Sequence, residues 1–425
     1  MTEVAVVGGG LAGLVAARRL GEAGVDVTLF EREPTVGGRV RTDRENGFLL
    51  DRGFQVLFPS YPAVSRELDV DALSLRSFRP GATLARPGER TTLSDPLRDP
   101  RAATATIFNR DVTFRDKLRV LRLRRELGNK SVDELRGADD ATIEEFLRER
   151  GFSEKFRENF AAPFYGGITL DRSLSASRYV FEYTFKMLTE GPAALPAEGM
   201  GAIPEQLARF AREAGATIET DTAVDQVEPT GGDVQRVTVE TSGETVEAGA
   251  VVVATDPLTA RDLTGIESIP TTGRGCVTQY FSVPKTQAFD VGRRLLLNAA
   301  DARPNQVALL STVAPEYAPE GMHLLSATFL GGPGEGDDAL AGEVREALAS
   351  WFPENQFGEL ELLRTDRIPF AQFAQPPGFL VELPDVDAPA GPVYLAGDYT
   401  RWSSIQGALE SGRRVARKVR EERSA

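Results

Sequence analysis

Residues 4–31 read VAVVGGGLAGLVAARRLGEAGVDVTLFE. Val4–Val7 has the character of a short buried strand, the glycines at 8, 10 and 13 follow at G-x-G-x-x-G spacing, and Leu14, Val15, Ala17 and Arg18 take up a helical pattern. Gly8 permits a tight turn and Gly10 leaves room for a pyrophosphate against the backbone. Gly13 lets helix pack on strand, and the helix start offers N–H donors with a partial positive charge. Gly21 and Gly24 end the helix, Val25–Phe30 alternates as a second strand, and Glu31 closes it 18 residues after Gly13. A carboxylate there accepts from ribose hydroxyls and repels a 2′-phosphate, so an unphosphorylated ribose is expected. The segment predicts an α/β dinucleotide-binding fold on a parallel sheet.

The rest of the composition narrows what such a fold could serve. At 425 residues, two or three domains are expected, or two built from interleaved segments. Acids outnumber bases by 63 to 49, and the net charge of −14 disfavours nucleic acid as a partner. Cys276 is the only cysteine, which excludes an intramolecular disulfide, a redox pair and a thiolate metal cage, and points to the cytoplasm. His323 is the only histidine, in the apolar run 322–330, and reads as a core residue. No stretch approaches the roughly 18 to 20 apolar residues of a membrane span, so the chain is expected not to cross a bilayer. Glu3, in place of a basic leader, argues against a signal peptide.

Residues 31–42 (EREPTVGGRVRT) add Gly37, Gly38 and Arg39, a close-approach pair followed by a planar fork of donors. With them the chain resembles the flavin amine oxidase superfamily, which includes protoporphyrinogen oxidases and phytoene-type carotenoid desaturases. The resemblance implies that this segment lies against the pyrophosphate and ribityl chain of FAD. It also implies that Gly53, Phe54 and Gln55, in Asp51-Arg-Gly-Phe-Gln55, approach the isoalloxazine. At the far end, 393–400 (VYLAGDYT) and the helix begun by 404–416 resemble the family's C-terminal flavin motif. There Asp398 takes a ribityl hydroxyl, and the helix start near Ile405 to Ala408 faces the flavin edge that becomes negative on reduction. Mid-chain, 199–204 (GMGAIP) leads through a helix to a strand, and Val224 matches the family's adenine-side valine, followed by a meander of strands 234–239 and 245–253. The implied cofactor set is Gly8, Gly10, Ala12, Gly13, Glu31, Arg32, Gly38, Arg39, Gly53, Phe54, Gln55, Val224, Gly397, Asp398, Ile405 and Ala408. No cysteine stands in 399–403 (YTRWS), so the FAD is expected to be non-covalent.

These motifs divide the chain into FAD-binding segments at 1–75, 199–257 and 386–425. The substrate-domain segments are then 76–198, mostly helical, and 258–385, mixed. The expected fold is a Rossmann-like FAD-binding domain, a parallel sheet with a β-meander, interleaved with an α+β substrate domain. In the first substrate segment, Phe114–Leu127 is a basic helix whose apolar positions are Leu118, Leu121 and Val120. It reads as solvated, with docking on an anionic membrane or steering of an anionic substrate as alternatives, so that peripheral membrane contact stays open. Residues 160–170 and 178–188 concentrate aromatic side chains that serve as core or as the lining of a cleft. Residues 331–336 (GGPGEG) imitate a phosphate loop but lack its spacing and lysine, and read as a turn. With no second dinucleotide fold for a nicotinamide, oxygen or a quinone is the expected electron acceptor.

The implied activity is that of an FAD-dependent oxidoreductase moving a hydride from a largely apolar small molecule to flavin N5, of desaturase or protoporphyrinogen oxidase type. Two alternatives stand beside it: a flavin amine oxidase, put in doubt because 275–281 (GCVTQYF) has no lysine, and a flavin-binding scaffold without turnover. Gln55, Tyr183 and Trp402 are the candidate substrate-side residues. No catalytic acid or base, no metal site and no oligomeric state is read from the sequence.

Overall fold

In a computed structural model, which describes residues 2–423 apart from 96, 231–235, 242–244, 288, 290 and 390, the strand Thr2–Val7 lies at the centre of a seven-stranded sheet. Val4, Ala5 and Val6 are fully buried, as an apolar run covered on both faces requires. Thr2–Val7 pairs in parallel with Val27–Phe30 on one side and Thr245–Val253 on the other, and Thr217–Glu219 extends the parallel part. Val393–Leu395 adds in parallel along Val251–Val253. Val224–Thr230, Arg236–Thr241 and Thr245–Val253 form the expected meander. Of the strand expected at 234–239, residues 234 and 235 lie outside the described residues. The helices Leu11–Gly21 and Ile405–Arg423 pack against each other on this sheet.

A second seven-stranded sheet runs in the order Glu361–Phe373, Gly273–Pro284, Met322–Leu330, Gln306–Leu309, Leu295–Asn298, Ala82–Arg86, Glu89–Leu93. The last two are a hairpin from the otherwise helical stretch after residue 76, joined in parallel to Leu295–Asn298. The helix Asp337–Trp351 covers one face, burying Leu340, Val344, Leu348 and Trp351 in a cluster with Phe281, Val283, Leu325 and Phe329. Residues 331–336 form an irregular loop before this helix, and Arg367 donates to the carbonyls of Pro333 and Glu335, which occupies the loop with the chain's own cation. The α/β architecture, with its parallel sheet, meander and second multi-strand sheet, is that expected from the sequence.

Helices between 103 and 190 pack beside the second sheet, Ala162–Thr169 against Leu295–Asn298 and Ala103–Phe108 against Glu89–Leu93. Three of them start with reciprocal caps, Thr113 with Asp116, Ser131 with Glu134 and Thr142 with Glu145. The basic helix runs Phe114–Gly128, but its faces are not those read from the sequence. Leu123 and Leu127 are buried beside Asp116, Val120 is half-buried, and Leu118 and Leu121 are exposed. The helix carries apolar stripes on opposite sides, and among the described residues only the Leu123/Leu127 side is buried against the protein. His323 is also not a core residue: it is half-buried at a strand end, its Nδ1 2.8 Å from Ser311 Oγ. Burial and the nearby Lys285 ammonium hold its pKa below the ordinary value.

Candidate functional site

The glycine turn forms a cradle that side chains could not share. Gly8 has φ +107°, and a Cβ there would stand 2.8 Å from the Ala254 carbonyl oxygen. A Cβ on Gly13 would overlap the Gly8 carbonyl, whereas one on Gly10 meets nothing within 4 Å, so open space lies in front of Gly10. Gly37 N–H donates to the Gly9 carbonyl at 2.8 Å, which brings the pair Gly37 and Gly38 onto the turn. Ala12 is buried in the first helical turn.

Glu31 is buried, with one carboxylate oxygen accepting from Gly9 N–H at 2.6 Å and the other from Glu33 N–H at 3.0 Å. Carboxylate oxygens hold further lone pairs, so a ribose could still be accepted. Thr222 N–H donates to the Glu31 carbonyl at 2.9 Å and sets the start of the Val224–Thr230 strand beside this end of the turn. Arg32 lies on the surface near Glu33.

Farther along, Arg39 donates to Asp398 Oδ1 at 2.7 Å and to the Ala371 carbonyl at 3.2 Å. Ser403 Oγ donates to the other Asp398 oxygen at 2.8 Å, and Ser403 N–H donates to Gln375 Oε1 at 3.0 Å. Gln55 donates from Nε2 to the carbonyls of Arg39 and Arg52. Gly397 N–H is held by Ser411 Oγ at 2.9 Å, which fixes the strand end to the last helix. Gly53, at φ +75°, donates its N–H to Asp366 at 3.0 Å, and a Cβ would press on Ile368 at 2.7 Å. The structure therefore brings Gly8 to Gly13, Glu31 and Val224 to one end of a track, and Arg39, Asp398, Gln55 and Ile405 to the other. A turn open at Gly10, a buried carboxylate and a donor-lined far end fit a dinucleotide with a ring system at the far end.

That end opens into a cavity of about 570 Å³. Phe54, Gln55, Trp402, Ser403 and Ile405 stand at its inner end, and Phe156, Phe160, Phe164, Phe181 and Phe185 along its wall. Phe160 stacks on Phe164 with ring centroids 5.3 Å apart. Phe160 sits in a π-helical turn, Arg157–Ala161, between two α-helical stretches. Tyr183 is not in the wall. On Arg178–Glu190 the residues facing the cavity are Val180, Phe181, Thr184, Phe185, Leu188 and Thr189, while Tyr179 and Tyr183 lie on the opposite side. Tyr183 instead packs behind Trp402, at 5.0 Å between centroids, with Tyr61 beside both.

Sequence reasoning missed Tyr61, Gln372, Gln375 and Ser403. Two amides in the apolar run 368–375 (IPFAQFAQ) are the one signal that could have raised Gln372 and Gln375. It also missed what Asp51 does. That carboxylate is buried and accepts from Thr42 Oγ1 at 2.5 Å, Met200 N–H at 2.9 Å and the Tyr317 hydroxyl at 2.8 Å. Burial pushes its pKa up to about 6, against the pull of these donors and of Arg364.

A glycine cradle whose far end opens into an apolar cavity fits a dinucleotide at one end and a small apolar ligand at the other. Residues 11–420 match the sequence profile of the flavin containing amine oxidoreductases, and the chain belongs to that family, whose cofactor is a flavin. A zeta-carotene-forming phytoene desaturase from Myxococcus xanthus is 28% identical over 285 residues, 60% of this chain and 53% of that protein. The chain thus spans about half the length of that relative. A 15-cis-phytoene desaturase from Synechococcus elongatus is 24% identical over 480 aligned positions, covering 98% of this chain and 95% of the relative. In fold, an oxidoreductase from Methanosarcina mazei superposes with a TM-score of 0.75 at 19% identity, over 98% of this chain and 100% of that one.

Proposed function

We propose that the chain binds FAD non-covalently and oxidises a largely apolar small molecule, in the manner of a desaturase or protoporphyrinogen oxidase, with oxygen or a quinone as electron acceptor. The observation that carries this reading is the aromatic cavity ending at Gln55, Trp402 and Ile405. When bound, the flavin supplies a two-electron acceptor at N5. Gly8 to Gly13 and Glu31 would hold the adenosine and pyrophosphate, and Arg39, Asp398 and Ser403 the ribityl side. The cavity walls orient the substrate and exclude water, a task that needs no side-chain acid or base beside the ring.

Two features support the finer assignments. Cys276 is buried in the strand Gly273–Pro284 and does not line the cavity, which favours a cofactor held without a thioether. Among the described residues of the wall, Asp95 is the only carboxylate, and it is paired with Arg124. A cationic amine would find no unpaired anion there, so an apolar substrate is favoured over an amine.

The test is anaerobic. The protein reconstituted with FAD is expected to show flavin absorbance that bleaches on adding carotenoid precursors or protoporphyrinogen, and to release its flavin on acid precipitation. Bleaching by simple amines alone would overturn the substrate reading. Flavin that bleaches with none of them points to a binder without turnover, and flavin left in the pellet overturns the non-covalent assignment.

A further inference from the structure

We infer that the rim of the cavity is a docking surface for a lipid bilayer containing anionic lipid. The stripe of the basic helix left exposed among the described residues is Phe114, Leu118 and Leu121, spaced i, i+4 and i+7 on the side opposite the buried Leu123 and Leu127. Phe114 is 65% exposed, and all three belong both to the outer surface and to the cavity rim. Beside them Ile107 and Phe108 are exposed, Phe108 at 76%, at the end of the short helix Ala103–Phe108. Lys117 Nζ donates to the carbonyls of Ile107 and Asn109 at 2.8 and 2.9 Å, which holds that helix end against the basic helix. Leu97, 70% exposed, stands in a turn joined to the same helix through Asp95 and Arg124.

Charge selects the partner. Residues 97–125 contain nine basic and three acidic side chains in a protein of net charge −14. The three acids are turned inward: Asp99 pairs with Arg294, Asp111 with Arg86, and Asp116 accepts from Thr113 and Ser153. Arg101, Arg110, Arg115, Arg122 and Arg125 are exposed, with no ion pair among the described residues. On the helix, Arg115 and Arg122 flank the apolar stripe on one side and Lys117 and Arg124 on the other. An apolar stripe bordered by cations is the pattern of a helix lying in the interface plane, its arginines at the headgroups. Here the same stripe borders the cavity mouth, so an apolar molecule could pass from the acyl layer to the inner end without crossing water. Peripheral contact of this kind deepens the apolar-substrate reading and rests on it for its purpose. Binding is measured without turnover, so either can fail alone.

The test is co-flotation of the flavin-loaded protein with phosphatidylcholine vesicles, with and without phosphatidylglycerol, at low and high salt. Partition is expected with phosphatidylglycerol present, falling about tenfold or more in high salt and in the double variant Arg115→Glu/Arg122→Glu. The triple variant Phe114→Ser/Leu118→Ser/Leu121→Ser is expected to lose partition by a similar factor. Flavin absorbance and melting temperature control for folding, which these exposed positions should leave unchanged. Absence of partition, equal partition into both vesicles, or a triple variant that floats like the parent overturns the proposal. So does light scattering showing a dimer that only the triple variant dissolves, with no vesicle binding, since the stripe would then cover a second copy.

Discussion

Asp51 is 2% exposed and accepts three hydrogen bonds, yet burial still pushes its pKa from 3.8 up to about 6. Its protonated form therefore stabilises the fold fully below pH 3.8, and that contribution is lost as pH rises through about 6. Asp51→Asn removes the titration. Relative to the parent, the variant is expected to gain stability on the order of 3 kcal/mol between those limits. Denaturation across the pH range reads it, and a difference that stays constant sinks the assignment. The contrast with Glu31 shows what a sequence can disclose about a residue. The place of Glu31 at a strand end beside the glycine turn was legible because the turn and the strand lie within a few dozen residues and obey a fixed spacing. Asp51 takes its partners from positions 42, 200 and 317, so its environment exists only once the chain has folded.

The basic helix carries the element-scale lesson. Its extent was readable, but stripes on opposite sides, Phe114/Leu118/Leu121 and Leu123/Leu127, make equally good apolar faces on paper. The choice is made by Asp116, fully buried beside Leu123, which accepts from Thr113 and from both N–H and Oγ of Ser153. Thr113→Ala takes away the cap and is expected to cost about 1 kcal/mol. Asp116→Ala leaves the Ser153 and Thr113 donors unmet and should cost roughly 2–3 kcal/mol. Urea denaturation of both variants checks the order, and an alanine at 116 no costlier than one at 113 would show that the carboxylate does not seat the helix. Helix phase likewise misplaced Tyr183: density of aromatics was visible on Arg178–Glu190, but which side of the helix meets the cavity was not. The Rossmann-like unit was legible throughout because its spacing is set by local backbone geometry and a ligand of constant shape.

At the scale of the whole molecule, several contacts tie the segment 39–53, which follows the glycine turn, to the second sheet. The Tyr280 hydroxyl and Arg364 donate to the Asp51 carbonyl, Gly53 N–H to Asp366, and Arg39 to the Ala371 carbonyl. The chain has two tryptophans in separate surroundings: Trp351 beneath the second sheet, and Trp402 at the inner end of the cavity against Tyr61, Tyr179 and Tyr183. Trp351→Phe and Trp402→Phe, each retaining one emitter, are expected to melt in a single coincident transition, and FAD should raise both midpoints together. Two separated transitions would mean that these two surroundings unfold independently. One consequence of the strand order concerns biosynthesis. The helix Leu11–Gly21 that takes up the glycine turn packs on Ile405–Arg423, and the strand Thr245–Val253 beside Thr2–Val7 pairs with Val393–Leu395, so residues made long after the turn brace it. Translation proceeds from the N-terminus at a few residues per second or faster. The ribosome therefore carries a glycine cradle that stays unbraced until the helix Ile405–Arg423 has emerged and docked beside it.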